Sequence, residues 1–250
     1  MTITLFDIPS KFPENAWSPN TFKARIALNY KGIPYKTEWV EYPEIEETLK
    51  KLGGAPTSKK KDGGDHYTLP AIYDSSTGKT VTDSMNIAIY LDEEYPDTPP
   101  LFPNSTHAAT ELLSSHFKST VAIALSPLML PPCCASLNPP SAEYFRRTRE
   151  QSYGKKLEEF APAGPIRDEA WAKVKEGLDL LDSFYAKNGE GKPYFFGDSF
   201  SYADAIIAGF LVWIRIVLGQ ESEEWKAVAS WNEGRWARLL ELVEKDLVVV

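Results

Sequence analysis

The stretch Tyr95-Pro96-Asp97-Thr98-Pro99-Pro100-Leu101-Phe102-Pro103 holds four prolines in nine residues, and no segment of the chain restricts folding more. Proline fixes φ and removes a backbone donor, so helix and central strand are both excluded there. The segment divides the chain. Strand signals lie before it and nearly vanish after it, which implies an N-terminal unit over residues 1–95, a stiff linker over 96–104 and a helical unit over 105–250.

The first unit opens with the β-run Ile3–Asp7, followed by a loop rich in Pro, Asn and Ser. From Asn20 the spacing turns helical, with Phe22, Ile26 and Tyr30 at four-residue steps and Gly32 where a C-cap glycine belongs. Tyr35, Thr37 and Trp39 then alternate with polar neighbours as a second strand. Residues 44–52 read as a short helix ended by Gly53-Gly54, and residues 56–65 as a Lys- and Gly-rich loop. Two strands around Asp74-Ser75-Ser76-Thr77-Gly78 make an antiparallel hairpin, after which Asp83-Ser84 caps a further helix. The order is βαβ, α, ββα.

In the second unit, residues 106–126 and 141–160 read as helices separated by a proline-rich irregular turn over 127–140. Trp171, Val174, Leu178, Leu181 and Tyr185 mark another amphipathic face. From Tyr202 to Leu218 only Asp204 and Arg215 are charged, the pattern of a helix buried all round. Ser201 and Asp204 have the spacing of a capping box at its start, so folding accounts for this buried acid better than catalysis does.

Composition excludes several classes. A net charge of −8 disfavours nucleic acid, and the single basic run, Lys59-Lys60-Lys61, reads as a solvated loop. Cys133 and Cys134 are adjacent, without Cys/His spacing around them, so a disulfide framework and a metal site are both unexpected; they read as ordinary thiols near a loop. The first ten residues lack a basic, apolar leader pattern, and the longest uncharged apolar run, Ala205–Ile214, is about half the ~20 residues a membrane span needs. A cytoplasmic protein without membrane contact is the expectation.

Four local motifs stand in order along this framework: Ser18-Pro19-Asn20-Thr21 at the first helix, Leu69-Pro70 before the third strand, Asp83-Ser84 at the third helix and Ser201-Tyr202-Ala203-Asp204 at the buried one. With the element order, they resemble the cytosolic glutathione transferase superfamily over nearly the whole chain. The resemblance implies an α/β thioredoxin-like N-terminal domain plus an all-α C-terminal domain. The Trp17-Ser18-Pro19-Asn20-Thr21 beginning and the length of the first loop most resemble the etherase-related fungal, FuA-type transferases.

That family uses glutathione as co-substrate, which brings its own sulfur and removes the need for a catalytic cysteine. A thiol of pKa ~8.5 needs about 2.7 kcal/mol of preference for the anion to fall by two units. A hydroxyl donor supplies ~1.5–3 kcal/mol to a charged acceptor and a helix N-terminus adds ~0.3–2. Ser18 is therefore the expected thiolate stabiliser, with Asn20 as helper or substitute; the plain alternative is that Ser18 only caps its helix. Serine rather than cysteine there goes with addition and ether-cleaving thiolysis, not disulfide exchange.

The resemblance further implies a cis-proline at Pro70 that leaves the backbone of Leu69 free for the peptide, and Asp83 and Ser84 as holders of the γ-glutamyl end. His66 reads as a loop residue near the same edge. For the acceptor site no ordered motif exists. Trp17, Trp39, Phe117, Tyr144 and Trp213 are candidates for an aromatic wall, each with an ordinary core role as the alternative, and residues 127–140 with Tyr144 and Phe145 for the rim. Two functions follow as expectations: transfer of glutathione to aromatic electrophiles, aryl ethers among them, or ligandin-type binding of hydrophobic aromatic and phenolic small molecules. The superfamily also implies a homodimer.

Overall fold

The computed structural model describes residues 3–250. Strands β1 (Ile3–Asp7), β2 (Tyr35–Trp39), β5 (Ala71–Asp74) and β6 (Lys79–Thr82) form one sheet in the order β2-β1-β5-β6. β1 and β2 run parallel because helix α1 (Pro19–Lys31) carries the crossover, and the other pairs are antiparallel, β5 and β6 through their short turn. Gly32 ends α1 in the left-handed region at φ 66°, where a side chain would be strained.

Two details of this half depart from expectation. The predicted helix over 44–52 splits into a 3₁₀ turn, Tyr42–Glu44, and α2 (Ile45–Lys51), since Pro43 fits a first turn. The predicted loop over 56–65 contains a small hairpin, β3 (Ser58–Lys59) with β4 (Asp65–His66), closed by the Lys59–Asp65 ion pair at 2.6 Å. His66 is thus a strand residue. Helix α3 (Ser84–Glu94) then packs Ile87, Ala88, Tyr90 and Leu91 inward.

The helical half holds α4 (His107–Phe117), a π-helical turn (Lys118–Ala122), α5 (Ile123–Ser136), α6 (Pro139–Tyr153), α7 (Pro165–Tyr185), α8 (Tyr202–Leu218) and α9 (Glu223–Val243). The main correction is α5. Residues 127–136, expected as irregular turn, are helical with Pro127, Pro131 and Pro132 inside. Interior prolines cost ~3 kcal/mol each. Burial of Leu125, Leu128, Met129, Cys133 and Cys134 against α6, α7 and α8 offsets that, at ~1.5–3 kcal/mol for each large side chain. Cys133 and Cys134 are therefore core residues on a helix rather than thiols by a loop. The rod His107–Ser136 has the length and apolarity of a membrane span, yet one side of it packs on the protein's own helices.

Helix α8 is buried from Tyr202 to Ile214 apart from Phe210, as its composition requires, its last turn is half-buried, and the Ser201–Asp204 capping box is formed. Asp204 accepts from the Ser201 N–H and hydroxyl, the Phe195 N–H and the Tyr185 hydroxyl. Helix α9 lies beyond the patterns read above; its regularity breaks at Trp231–Gly234, where three successive residues adopt positive φ.

Candidate active site

The site is built where α1 meets α8. A Cβ at Gly209 of α8 would lie 2.7 Å from the carbonyl oxygen of Pro19 and 3.4 Å from Cγ of Lys23. Only a glycine lets the first turn of α1 seat this closely. From below, Arg25 fixes α1 to the sheet: its guanidinium donates to Asp7 at 2.8 Å, to the Tyr35 hydroxyl at 3.2 Å and to Thr37 at 3.1 Å. Arg25 and Asp7 are fully buried.

The loop ahead of α1 is tied on the other side. Ser10 pairs with Leu137 in an isolated bridge, and the Lys11 N–H donates to the Ser136 carbonyl at 2.8 Å. The C-terminal end of the proline-bearing helix thereby sets the path of the chain into Ser18.

Ser18 stands at the N-cap position, but its hydroxyl makes no cap hydrogen bond. The plain capping role is absent. Ser18 is 6 % exposed and borders two adjoining cavities, as do Asn20, Asp83 and Ser84. Pro19 occupies the first helical turn, where its missing N–H leaves nothing unsatisfied.

The smaller cavity, of about 260 Å³, is bounded by Ser18 and Asn20 on one side, by Leu69 and Pro70 on another, and by Asp83 and Ser84 at its end. The Leu69–Pro70 peptide is cis. The ladders of β5 begin at Ala71, so Leu69 takes no part in strand pairing. Asp83 caps α3 by accepting from the Met85 N–H at 2.9 Å and the Asn86 N–H at 3.2 Å, with φ at 75°. Positive φ on a non-glycine residue is costly and concentrates at functional sites. The Ile87 N–H reaches the Asp83 carbonyl. Among the described residues the Ser84 N–H is then the first-turn donor of α3 left without a partner, at the positive end of the helix.

The larger cavity, of about 680 Å³, adds an aromatic wall from Trp17, Phe117, Phe145, Phe210 and Trp213. Phe210 touches both Phe117, with ring centroids 5.0 Å apart, and Trp213, at 5.8 Å. Leu130 and Ser126 of α5 contribute to the same wall, so the proline-rich stretch does border this cavity, as helix rather than as irregular rim.

Two of the expected wall residues stand elsewhere. Trp39 ends the edge strand β2, opposite Asp7, and borders neither cavity. Tyr144 stacks on Tyr42 with centroids 5.7 Å apart and borders the smaller cavity, because its neighbour Phe145 takes the inward position on α6.

Several residues at the site carried no sequence signal. Tyr42 borders both cavities, its hydroxyl pushed up to about 12 by burial. Arg149 of α6 also borders both, with its guanidinium 4.3 Å from the Phe145 ring centroid. His66, which the sequence already sets near this edge, borders the smaller one, its pKa lowered first by burial and then by Lys60. Lys23, buried beneath Asn20, donates to its side-chain oxygen at 2.9 Å. Among the described residues, no group of three or more His, Cys, Asp or Glu is placed to hold a metal.

Residues 17–94 match the family model described as Glutathione S-transferase, N-terminal domain, and residues 108–245 the one described as Glutathione S-transferase, C-terminal domain. The chain is 35 % identical over 246 residues to the Glutathione S-transferase-like protein ustS of Aspergillus flavus, covering 94 % of this chain and 87 % of that protein. It resembles the crystal structure of CsGST63524 of Ceriporiopsis subvermispora, a glutathione S-transferase in complex with glutathione, with 49 % identity and a TM-score of 0.96 over 99 % of this chain and 98 % of that one. Glutathione transferase GSTFuA2 from Phanerochaete chrysosporium superposes with 44 % identity and a TM-score of 0.95, each chain fully covered.

Proposed function

Since the chain belongs to the glutathione S-transferase family, we propose that it conjugates glutathione to aromatic electrophiles through a thiolate held by Ser18 and Asn20. The observation that carries this reading is the Ser18 hydroxyl, free of its helix-capping duty at the junction of the two cavities.

Glutathione fits the smaller cavity by chemistry. The backbone of Leu69, outside the strand ladders, bonds the cysteinyl amide as an added strand would. The Ser84 N–H and hydroxyl donate to the γ-glutamyl carboxylate, and the Asp83 carboxylate receives the ammonium. This places the sulfur by Ser18 and Asn20, facing the larger cavity. There the thiol gives its proton to solvent, and the anion accepts from the serine hydroxyl and the tip of α1.

The larger cavity receives a flat, apolar acceptor against Trp17, Phe117, Phe210 and Trp213. The thiolate forms a C–S bond while the leaving group departs with its electron pair. For an aryl ether, the C–O bond breaks and a phenolate leaves, to be protonated by solvent. The same reading takes the protein as a cytoplasmic homodimer.

The test is steady-state conjugation with a small aromatic electrophile, comparing Ser18→Ala, Asn20→Ala and the double variant. Loss of one donor to a charged acceptor lowers kcat/KM by roughly 10- to 100-fold. Turnover indifferent to both substitutions, with tight binding of phenolic dyes, overturns catalysis in favour of a binder.

A further inference from the structure

Lys23 is a cation in an unusual position. It lies one turn after Asn20 on α1 and is buried, with its stem against Gly209 and its ammonium 5.1 Å from the Phe210 ring centroid. Among the described residues it forms no ion pair, and its ammonium donates to Oδ1 of Asn20 at 2.9 Å. Burying an ammonium against a single neutral oxygen costs stability, because no anion offsets its desolvation.

The chemistry of this hydrogen bond has a direction. An ammonium has three donors and no acceptor, so only the carbonyl end of the Asn20 amide can face it. The NH₂ end is then turned the opposite way, while Asn20 itself borders both cavities beside Ser18. Without Lys23, nothing in the free protein would set which end of the amide faces the cavity, and the thiolate itself would have to turn and hold it, at a cost in lost rotamer freedom.

We infer that Lys23 is a positioning residue, which locks the Asn20 amide with its NH₂ toward the glutathione sulfur and so makes Asn20 a second thiolate donor beside Ser18. This rests on the function proposed above. Lys23 acts through Asn20 and does not touch the sulfur.

Two charged groups bear on this ammonium. Burial lowers its pKa to about 8, Asp83 at the head of α3 raises it and Lys118 of the π turn lowers it. Glu111 of α4 and Arg149 of α6 border the same cavity, and α8 contributes Phe210 and Tyr202 there without a charge. At neutral pH the ammonium keeps its proton, and with it the one-way hydrogen bond.

The experiment is titration of the thiol of bound glutathione, followed by thiolate ultraviolet absorbance, in the wild type and in Lys23→Met, Lys23→Arg, Asn20→Ala and the Lys23→Met/Asn20→Ala double variant. Lys23→Met raises the thiol pKa by roughly one unit, a tenfold loss of thiolate equilibrium. Lys23→Arg, also a donor without an acceptor, restores most of it. Lys23→Met adds little once Asn20 is alanine, because both act on one amide. Should the methionine variant fail to fold, Lys23→Gln takes its place: it can offer either end to Asn20, and a rise of smaller size is expected.

An unchanged thiol in the methionine or glutamine variant, or full additivity with Asn20→Ala, overturns the inference. Failure of the underlying function looks different, since the wild-type complex would itself show an unshifted thiol or no bound glutathione.

Discussion

The hydroxyl of Tyr202 donates to the backbone carbonyl of Ser84 at 2.6 Å, joining the first turn of the buried helix α8 to the first turn of α3. The bond crosses between the two halves of the chain at the end of the smaller cavity. Tyr202→Phe removes it and keeps the ring. The expected loss is about 1 kcal/mol of stability, with weaker glutathione binding and little change in kcat, read by urea unfolding and calorimetry.

Asp83 combines a cap, a charge and positive φ in one residue. Asp83→Asn keeps the cap and tolerates the backbone, so stability stays near wild type while glutathione affinity falls with the lost charge. Asp83→Ala loses the cap as well, at an additional ~1–2 kcal/mol. Calorimetry of glutathione binding beside thermal unfolding separates the two contributions; equal affinity of the Asn variant and the wild type removes Asp83 from the binding site.

Arg25→Met leaves Asp7 buried without its partner, at an expected cost of about 3–5 kcal/mol. The double variant Arg25→Met with Asp7→Leu recovers a large part. A double-mutant cycle by urea unfolding checks this, and additivity of the two losses would contradict it.

Asp204 gives a pH signature. Burial lifts its carboxyl from the ordinary 3.8 to about 6, against the opposing pull of the donors from Phe195, Ser201 and Tyr185. Between those values the folded chain keeps a proton that the unfolded chain releases. The contribution is full below about pH 4 and drains as pH rises through 6, by about 3 kcal/mol in all. The stability of the wild type relative to Asp204→Asn, measured by urea unfolding across this window, should fall with rising pH; a flat or rising difference refutes the assignment.

Much of this arrangement is legible in the sequence because local rules and the fold agree. Asp83 and Ser201 are caps in the sequence and caps in the structure, and the apolar run after Tyr202 has no stable place except the core. The helix α5 is the instructive failure. Three prolines locally forbid a helix, and only the burial of Leu128, Met129 and Cys133 against other helices reverses that preference. Lys23, Tyr42 and Arg149 are silent for a related reason: they come together from α1, the turn after β2 and α6, and nothing in their own neighbourhoods marks the meeting. Trp39 shows the converse error, since residue type suggested a wall that an edge position denies it.

The bond from the Lys11 N–H to the Ser136 carbonyl bears on how such proteins can be recombined. Pro139 and Pro140 follow that helix end, so its last carbonyls seek partners outside, and one of them is found in the turn leading to Ser18. A chimera that exchanged the C-terminal half for a relative's would also exchange the anchor of the loop that leads into Ser18. Grafts between cousins should therefore move residues 8–18 together with α5 as a single cassette.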